Sequence, residues 1–343
     1  MRARDPALSN IEDVAIAASV STATVSRALN RPESVSDALR QRVGAAIIRL
    51  GYVPHAGARA LKLRRTGTVG AVFPTVDNAI FAEAIEALQH RLSDAGLQLL
   101  IATSGYDKDR EARQVMNLVA RGADALALCG VGQNPKLLES LRRRELPTVH
   151  AMTYPPPPNT VCVGFDNADA ISQAVRYLLD LGHRRIAMLA GITKGNDRAT
   201  ARVAGVRGAL KKARLGLAPQ YLVERKYGLA QAREGFRVLM AATPAPTAIV
   251  CGNDVLAFGA LLEAQKMGIN VPKALSIIGF DDLEMARHIH PALTTVHVPT
   301  AQMWHTVADR LIAALGQLPV QPSTEVEVEL VVRESTGPVP KGV

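Results

Sequence analysis

The sequence predicts two structural classes in one chain: an all-α head at the N-terminus and a larger α/β core built from parallel sheets. Three helical patterns, separated by turn residues, fill the first part of the chain. From residue 67 onward, short apolar runs alternate with amphipathic helical patterns, as in parallel sheets covered by helices. A length of 343 residues also exceeds the usual size of one domain, so several compact units are expected.

The head contains the start and stop signals of three helices. Ser9 and Glu12 have the spacing of a capping box, which predicts a first helix of about three turns. Ser21 is expected to cap a second helix over 22–29, and a third helix should follow Ser36. Two short helices joined by a tight turn form a helix-turn-helix, although periodicity alone would also fit a generic three-helix bundle.

Positive charge is concentrated in this head. The chain carries a net charge of +9, and residues 1–66 hold eleven Lys/Arg against five Asp/Glu, a balance of +6. The second helix presents Thr22, Ala23, Ser26 and Arg27 between its apolar positions. Arginine and small hydrogen-bonding groups suit the base edges of a DNA major groove, and a basic surplus suits phosphates. A solvated basic face without a partner is the alternative for the charge alone.

In the core, eight apolar runs predict strands and five amphipathic stretches predict helices. The strands are expected at 68–74, 97–103, 124–129, 148–151, 161–166, 185–191, 248–253 and 275–281. The helices are expected at 79–95, 109–121, 168–182, 200–214 and 255–267. This region is too long for one ordinary sheet, and the series breaks near residues 164–167, so two doubly wound lobes are predicted.

Several classes of function are disfavoured. No apolar run approaches the roughly 20 residues of a membrane span, and the N-terminus lacks a secretory signal, so a cytoplasmic protein is expected. Cys129, Cys162 and Cys251 are far apart in apolar runs, which predicts buried thiols and no metal site. Gly130-Val131-Gly132 lacks the third glycine of a dinucleotide loop, and no phosphate loop or catalytic motif is found. We therefore expect neither a cofactor nor an enzyme.

The residue sequence of the head contains a long motif that is specific to one protein family. The run I-E-D-V-A-I-A-A-S-V-S-T-A-T-V-S-R-A-L-N, followed by V-S and L-G-Y-V-P, resembles the head of the LacI/GalR family of bacterial transcriptional regulators. The resemblance implies that Thr22, Ala23 and Arg27 read base edges. It also implies that three hydroxyl side chains contact phosphates, namely Ser21, Thr24 and Ser26.

The resemblance also divides the chain. Residues 1–54 would be the DNA-binding domain, 55–66 a hinge helix, and 67–343 the effector-binding core. In the hinge, His55, Ala58 and Leu61 are expected to contact DNA, with Leu61 wedged into the minor groove. His55 stands where the family usually has asparagine, a better helix cap, and Gly57 weakens a helix by about 1 kcal/mol. A simple basic linker is the alternative for this segment.

For the core, the resemblance implies the periplasmic-binding-protein fold, with three crossings between lobes near 164, 295–297 and Pro322. Lobe 1 would comprise about 67–164 and 296–322; lobe 2 would comprise about 165–295 and 323–343, with a last strand at 325–334. Five residues at strand ends correspond to effector-binding positions of the family: Asn78, Phe81, Arg202, Asn253 and Asp281. For single residues a structural role is the alternative, such as a helix cap by Asp254 or a turn at Asp281.

The implied partners are palindromic operator DNA and a small-molecule effector, a sugar or a sugar acid. The D-N-x-x-F-A-E and V-G-F-D-N stretches favour the gluconate-repressor branch of the family. A homodimer is expected because palindromic sites mirror two-fold symmetry, with a tetramer as the larger alternative. Two rival functions stay open: a transport-type sugar-binding protein with the same core, and a sugar-metabolising enzyme.

Overall fold

The computed structural model describes residues 9–53, 65–319 and 322–340. Its contacts divide the chain into two compact units, residues 1–66 and 67–343. The first unit is the head, and the second is the core.

Three α-helices form the head: α1 (Ile11–Ala17), α2 (Thr22–Asn30) and α3 (Asp37–Leu50), with a 3₁₀ turn at Pro32–Ser34. The helices meet around a small apolar centre, because each contributes small or β-branched side chains at helical spacing. Its buried members are Val14, Ala15, Ala18, Val25, Val43 and Ala46. Packing of this kind supplies most of the stability of helices this short.

The start of α1 differs from the prediction by one residue. Asn10, and not Ser9, is the N-cap: its Oδ1 accepts the backbone N–H groups of Glu12 at 2.7 Å and Asp13 at 3.0 Å. The Asp13 carboxylate in turn accepts the N–H of Asn10 at 2.8 Å, which completes the capping box. Ser9 instead donates to the carbonyl of Leu50 at 2.9 Å. The helix has 7 residues, about two turns, and is thus shorter than predicted.

Lobe 1 of the core is a parallel sheet in the order β11-β5-β4-β3-β1-β2. Its strands are β1 (Thr68–Phe73), β2 (Gln98–Thr103), β3 (Ala125–Cys129), β4 (Thr148–Ala151), β5 (Val161–Gly164) and β11 (Thr324–Glu325). Its helices are α4 (Ala79–Asp94), α5 (Lys108–Ala120), α6 (Pro135–Arg143) and α12 (Thr300–Leu315).

Lobe 2 repeats this order as β12-β10-β9-β8-β6-β7, with only the β10–β12 pair antiparallel. Its strands are β6 (Ile186–Gly191), β7 (Leu222–Arg225), β8 (Ala248–Cys251), β9 (Ser276–Asp281), β10 (Thr294–His297) and β12 (Glu329–Val331). Its helices are α7 (Asn167–Asp180), α8 (Asp197–Lys212), α9 (Leu229–Met240), α10 (Asp254–Lys266) and the short α11 (Met285–His288). In both lobes the strand order reverses beside the first strand, where ligands of doubly wound sheets bind.

The chain crosses between the lobes at 165–166, at 298–299 and at 326–328. The third crossing lies beyond the predicted position near Pro322, because Thr324–Glu325 still pairs with β5 of lobe 1. Val326 then donates its N–H to the carbonyl of Gly164 at 2.7 Å. The single strand predicted at 325–334 is therefore replaced by two short strands in different sheets.

Large aromatic side chains fill the centre of lobe 1. Trp304 of α12 is fully buried, and its ring lies 4.9 Å from that of Phe73 on β1. The ring of Phe81 on α4 meets Phe73 edge-on at 6.0 Å. The three cysteines are buried free thiols, as predicted, and burial raises the pKa of Cys129 to about 12. No helix in the described part of the chain is both long and apolar enough to span a bilayer.

Candidate functional site

Helix α2 of the head buries one face and exposes the other. Val25 is fully buried, whereas Thr22, Ala23 and Arg27 are exposed. A hydroxyl, a methyl and a guanidinium group are the chemistry that reads base edges in a major groove. The three residues predicted to read bases are therefore accessible in the folded head.

The hydroxyl groups predicted to contact phosphates surround the start of α2. Ser21 Oγ accepts the N–H of Thr24 at 3.2 Å and lies 2.9 Å from Thr24 Oγ1, so Ser21 is the N-cap. Ser26 is half-buried one turn further on. A helix N-terminus attracts phosphate through its free N–H groups and its dipole. A phosphate at this end would therefore meet both the cap and the dipole.

The predicted hinge contacts, His55, Ala58 and Leu61, lie outside the described residues. Their contacts with DNA, and the entry of Leu61 into the minor groove, stay predictions.

In the core, all five residues predicted to bind the effector line one cavity between the lobes. Asn78 and Phe81 come from lobe 1; Arg202, Asn253 and Asp281 come from lobe 2. The cavity measures about 30 Å³, which is room for only a few water molecules and far below the roughly 300 Å³ or more of a ligand pocket. The lobes are thus closed on each other around this point.

Arg202 is held rigidly in lobe 2. Its Nε donates to Asn167 Oδ1 at 2.9 Å, and its Nη1 donates to the carbonyl of Gly252 at 2.6 Å. Its guanidinium also lies over the ring of Phe280, 3.8 Å from the ring centroid. A guanidinium fixed by two acceptors and an aromatic face is preorganised to donate its remaining N–H groups to a ligand.

Asp281 ends β9 and is buried beside this arginine. Its backbone has φ of 114°, in the region that favours glycine, and only 6% of the residue is exposed. Burial raises the pKa of Asp281 from 3.8 to about 7, and the positive charge of Arg202 opposes the rise. A strained backbone together with a carboxyl group whose charged form is destabilised by burial is typical of a functional residue.

Asn78 and Asn253 cap the helices that follow their strands. Asn78 Oδ1 accepts the N–H of Ile80 at 3.4 Å, and Asn253 Oδ1 accepts that of Leu256 at 3.0 Å. Because the carbonyl oxygen of each amide serves the helix, the NH₂ group is the part suited to a ligand acceptor. Each asparagine therefore caps a helix and also lies at the cavity where the effector is predicted to bind.

Asp254 has a structural role, but it is not a helix cap. It is fully buried and accepts the N–H of Leu283 at 2.8 Å and the hydroxyl of Thr295 at 2.6 Å. Burial raises its pKa well above the ordinary range, and the nearby charge of Asp281 adds to the rise. Asp254 therefore ties α10 to the end of β9 and to β10.

Sequence reasoning missed four polar residues that line the same cavity: Tyr106, Asn196, Arg198 and Tyr227. They follow β2, β6 and β7, so the carboxyl ends of strands were the available signal. The rings of Tyr106 and Tyr227 come from opposite lobes, with centroids 5.9 Å apart. Burial raises the pKa of both phenols, so both hydroxyls keep their protons at neutral pH.

A larger basin of about 870 Å³ adjoins this cavity and shares Asn78, Asn196 and the two tyrosines with it. Lobe 1 contributes Asp77, Asp107, Lys108 and Asp109 to its rim, and lobe 2 contributes Lys194 and Lys226. The basin has the size of an ordinary ligand pocket. The amides and phenols that the two spaces share, together with the arginine and carboxylate groups of the inner cavity, suit a ligand rich in hydroxyl groups.

Comparisons with known proteins agree with this architecture. The family model "Bacterial regulatory proteins, lacI family" matches residues 10–55, and that of the periplasmic binding protein-like domain matches 175–336. The HTH-type transcriptional repressor PurR of Escherichia fergusonii is 31% identical over 336 residues, 97% of this chain and 98% of the relative. The ribose operon repressor of Haemophilus influenzae is 32% identical over 306 residues, 89% of this chain and 91% of the relative.

Among solved structures, the lac repressor dimer bound to operator and the anti-inducer ONPF is similar, with a TM-score of 0.84 and 25% identity. The alignment covers 96% of this chain and 99% of that chain. Head, two-lobed core and relatives together define a DNA-binding transcriptional regulator with a small-molecule effector. The chain belongs to the lacI family of bacterial regulatory proteins, which confirms the predicted resemblance.

Proposed function

We propose that this regulator represses transcription from a near-palindromic operator and that a sugar or sugar acid bound between the core lobes controls it. The observation that carries the proposal is the gathering of Arg202, Asn253 and Asp281 with residues of the other lobe around one cavity. Both curated relatives are named as repressors, and one is the ribose operon repressor. Such a protein acts on the chromosome, so we place it in the cytoplasm, on the nucleoid when DNA-bound.

On DNA, Thr22, Ala23 and Arg27 are proposed to read bases. Ser21, Thr24 and Ser26 are proposed to contact the phosphate backbone. In the hinge, His55 and Ala58 are proposed to contact DNA, and Leu61 to enter the minor groove. Arg27 is the sharpest test, because it is exposed and its Nε donates only to the carbonyl of Ala23, at a long 3.4 Å, among its described contacts.

The test uses an operator selected from a randomised palindromic DNA pool. Arg27→Ala is expected to lose about 1–3 kcal/mol of discrimination at one base pair of each half-site. Arg40→Ala is the matched control, since Arg40 lies on α3 and pairs with Asp37 at 2.6 Å. Binding is measured against single-base operator variants; equal weakening on every sequence would make Arg27 a phosphate contact.

The regulator is proposed to act as a homodimer, because the lac repressor in the similar structure is a dimer on its operator. The edge strand β2 leaves Leu100 36% and Ile101 41% exposed, apolar surface that a second protomer would cover. Sedimentation equilibrium separates dimer from tetramer, and a monomer at micromolar concentration would contradict the proposal.

For the effector, D-gluconate and a panel of sugars and sugar acids are screened for thermal stabilisation. A ligand that binds the folded protein alone raises its stability by RT ln(1 + [L]/Kd). Asp281→Ala is expected to abolish the shift, whereas Asp169→Ala, an exposed carboxylate on α7, should retain it. A stabilising compound that ignores Asp281→Ala would place the site elsewhere, and one that leaves operator affinity unchanged would not be an effector.

A further inference from the structure

The glycine loop after β3 has no part in the proposed function, yet it touches the opposite lobe. Gly130, Val131 and Gly132 face Asp197, the first residue of α8 in lobe 2. The N–H of Val131 donates to Asp197 Oδ2 at 2.7 Å. A hydrogen bond to a carboxylate is roughly twice as strong as a neutral one, so this contact joins the lobes effectively.

Glycine is needed on both sides of the contact. A Cβ at Gly130 would collide with the side chains of Asp197 and Arg198, and Gly130 has φ of +72°. On lobe 2, a Cβ at Gly195 would collide with the backbone carbonyl of Tyr106 in lobe 1. The lobes approach this closely because neither loop carries a side chain there.

Arg198 strengthens the contact. It is only 8% exposed, and its Nη1 donates to Asp197 Oδ1 at 2.9 Å. Burial raises the pKa of Glu111 in lobe 1, and the positive charge of Arg198 opposes part of this rise. Glu111 accepts from Gln133 Nε2 at 3.1 Å, which fixes it beside the glycine loop. A charged pair of lobe 2 is therefore inserted into the wall of lobe 1.

The contact lies outside the segments that connect the lobes, so it can form or break as the lobes close or open. Val131 and Asp197 are 66 residues apart and belong to none of the three crossing segments. Contacts at the crossings persist in any arrangement because the chain itself holds them together, whereas this contact exists only while the lobes are closed. Acidic residues of lobe 1 also face Lys194 and Lys226 of lobe 2 around the adjoining basin, which favours closure.

We propose that Asp197 and the loop at 130–132 form a latch that stabilises the closed arrangement of the lobes. The inner cavity of about 30 Å³ is too small for a sugar, so the effector has to open the lobes before it reaches Arg202 and Asp281. The latch would then lower the apparent affinity for the effector by the fraction of molecules that are open. This regulatory consequence rests on the proposed function, but the latch itself does not.

The test measures the distance between the lobes in protein without ligand. Lys108→Cys and Ile192→Cys place nitroxide spin labels on exposed positions in opposite lobes, and the native cysteines are buried and escape labelling. Pulsed electron double resonance should give one short distance for this labelled parent. Asp197→Ala should add a longer distance and lower the closed-to-open ratio about tenfold, equivalent to about 1.4 kcal/mol.

Asp169→Ala is the control, because it also removes an acidic residue from the first turn of a lobe 2 helix but lies outside the latch. Gly132→Leu tests the latch from the other side: its Cβ would lie 3.4 Å from Asp197 Cβ, so a larger side chain should push the lobes apart. Circular dichroism confirms folding, and Gly132→Leu decides the matter if Asp197→Ala misfolds. A parent that is already open, or variants with the parent's distances, would overturn the proposal, whatever happens in the effector screen.

Discussion

Asp281 is expected to destabilise the core at neutral pH, and Asp281→Asn should reverse this. The folded protein holds the proton of this carboxyl up to pH about 7, whereas the ordinary pKa is 3.8. As pH rises between these values, the unfolded chain loses the proton first, so the free energy of unfolding falls with pH. Above pH 7 both states are ionised and the loss is complete.

The size of the effect follows from the two pKa values. They differ by about three units, and each unit corresponds to about 1.36 kcal/mol, so the penalty approaches roughly 4 kcal/mol at pH 8. Asparagine has nearly the same shape, tolerates positive φ and carries no charge. Asp281→Asn should therefore unfold at higher urea concentration than wild type at pH 8, and the two proteins should converge towards pH 4.

Urea titrations from pH 4 to pH 8, followed by the fluorescence of Trp304, measure this difference. A smaller slope of the same sign should persist in the variant, since burial also raises the pKa of Asp254. Asp107→Asn is a control: a hydrogen bond from Arg110 N–H lowers the pKa of Asp107, so the contribution of this carboxylate to stability is lost only as pH falls below 3.8 and should stay constant from pH 4 to pH 8. Parallel pH profiles for wild type and Asp281→Asn would refute the reasoning.

Two further predictions concern helices. In α8, Gly208 has open space at its Cβ position, so Gly208→Ala should stabilise the core by about 0.5–1 kcal/mol, whereas Gly205→Ala should destabilise it, because its Cβ would strike the carbonyl of Ala168. Urea unfolding measured by circular dichroism compares the pair, and equal effects would contradict this packing. In the head, Asn10→Ala should lower the free energy of unfolding by about 0.5–2 kcal/mol and speed the amide hydrogen exchange of Asp13. Unchanged exchange would indicate that Ser9, and not Asn10, is the N-cap.

The parts of the fold that the sequence predicts well are those with long, uniform patterns. The strand expected at 248–253 is observed at Ala248–Cys251, and the helix expected at 255–267 at Asp254–Lys266. The sequence predicts no strand or helix between 215 and 247, although β7 and α9 lie in this stretch. β7 is an edge strand whose residues are mostly half-buried, so the apolar pattern of a central strand is absent.

The final strands show a second limit. β11 has 2 residues and β12 has 3, which is too short for any periodicity. Their sheets are decided by the partner strands, β5 and β10, and not by local sequence.

The candidate cavity was partly visible in the sequence because strand ends of parallel sheets meet at one edge. Asn253 and Asp281 lie at the carboxyl ends of strands that the sequence predicts, whereas Tyr227 follows β7, which it does not predict. For the glycine loop at 130–132, the sequence indicates only an incomplete dinucleotide-binding motif. Its contact with Asp197 depends on how the lobes close, which no local pattern encodes.

The three crossings also set the order in which the core can be completed during synthesis. Lobe 1 has five of its strands by residue 164, but it lacks α12 and β11 until residue 325. At about 5–20 residues per second, the ribosome needs roughly 10–30 s for the intervening chain. Throughout that interval the Phe73 ring lacks its packing partner Trp304, so the first lobe to emerge stays incomplete until nearly the whole core has been made, and its nascent form exposes apolar surface that chaperones can bind.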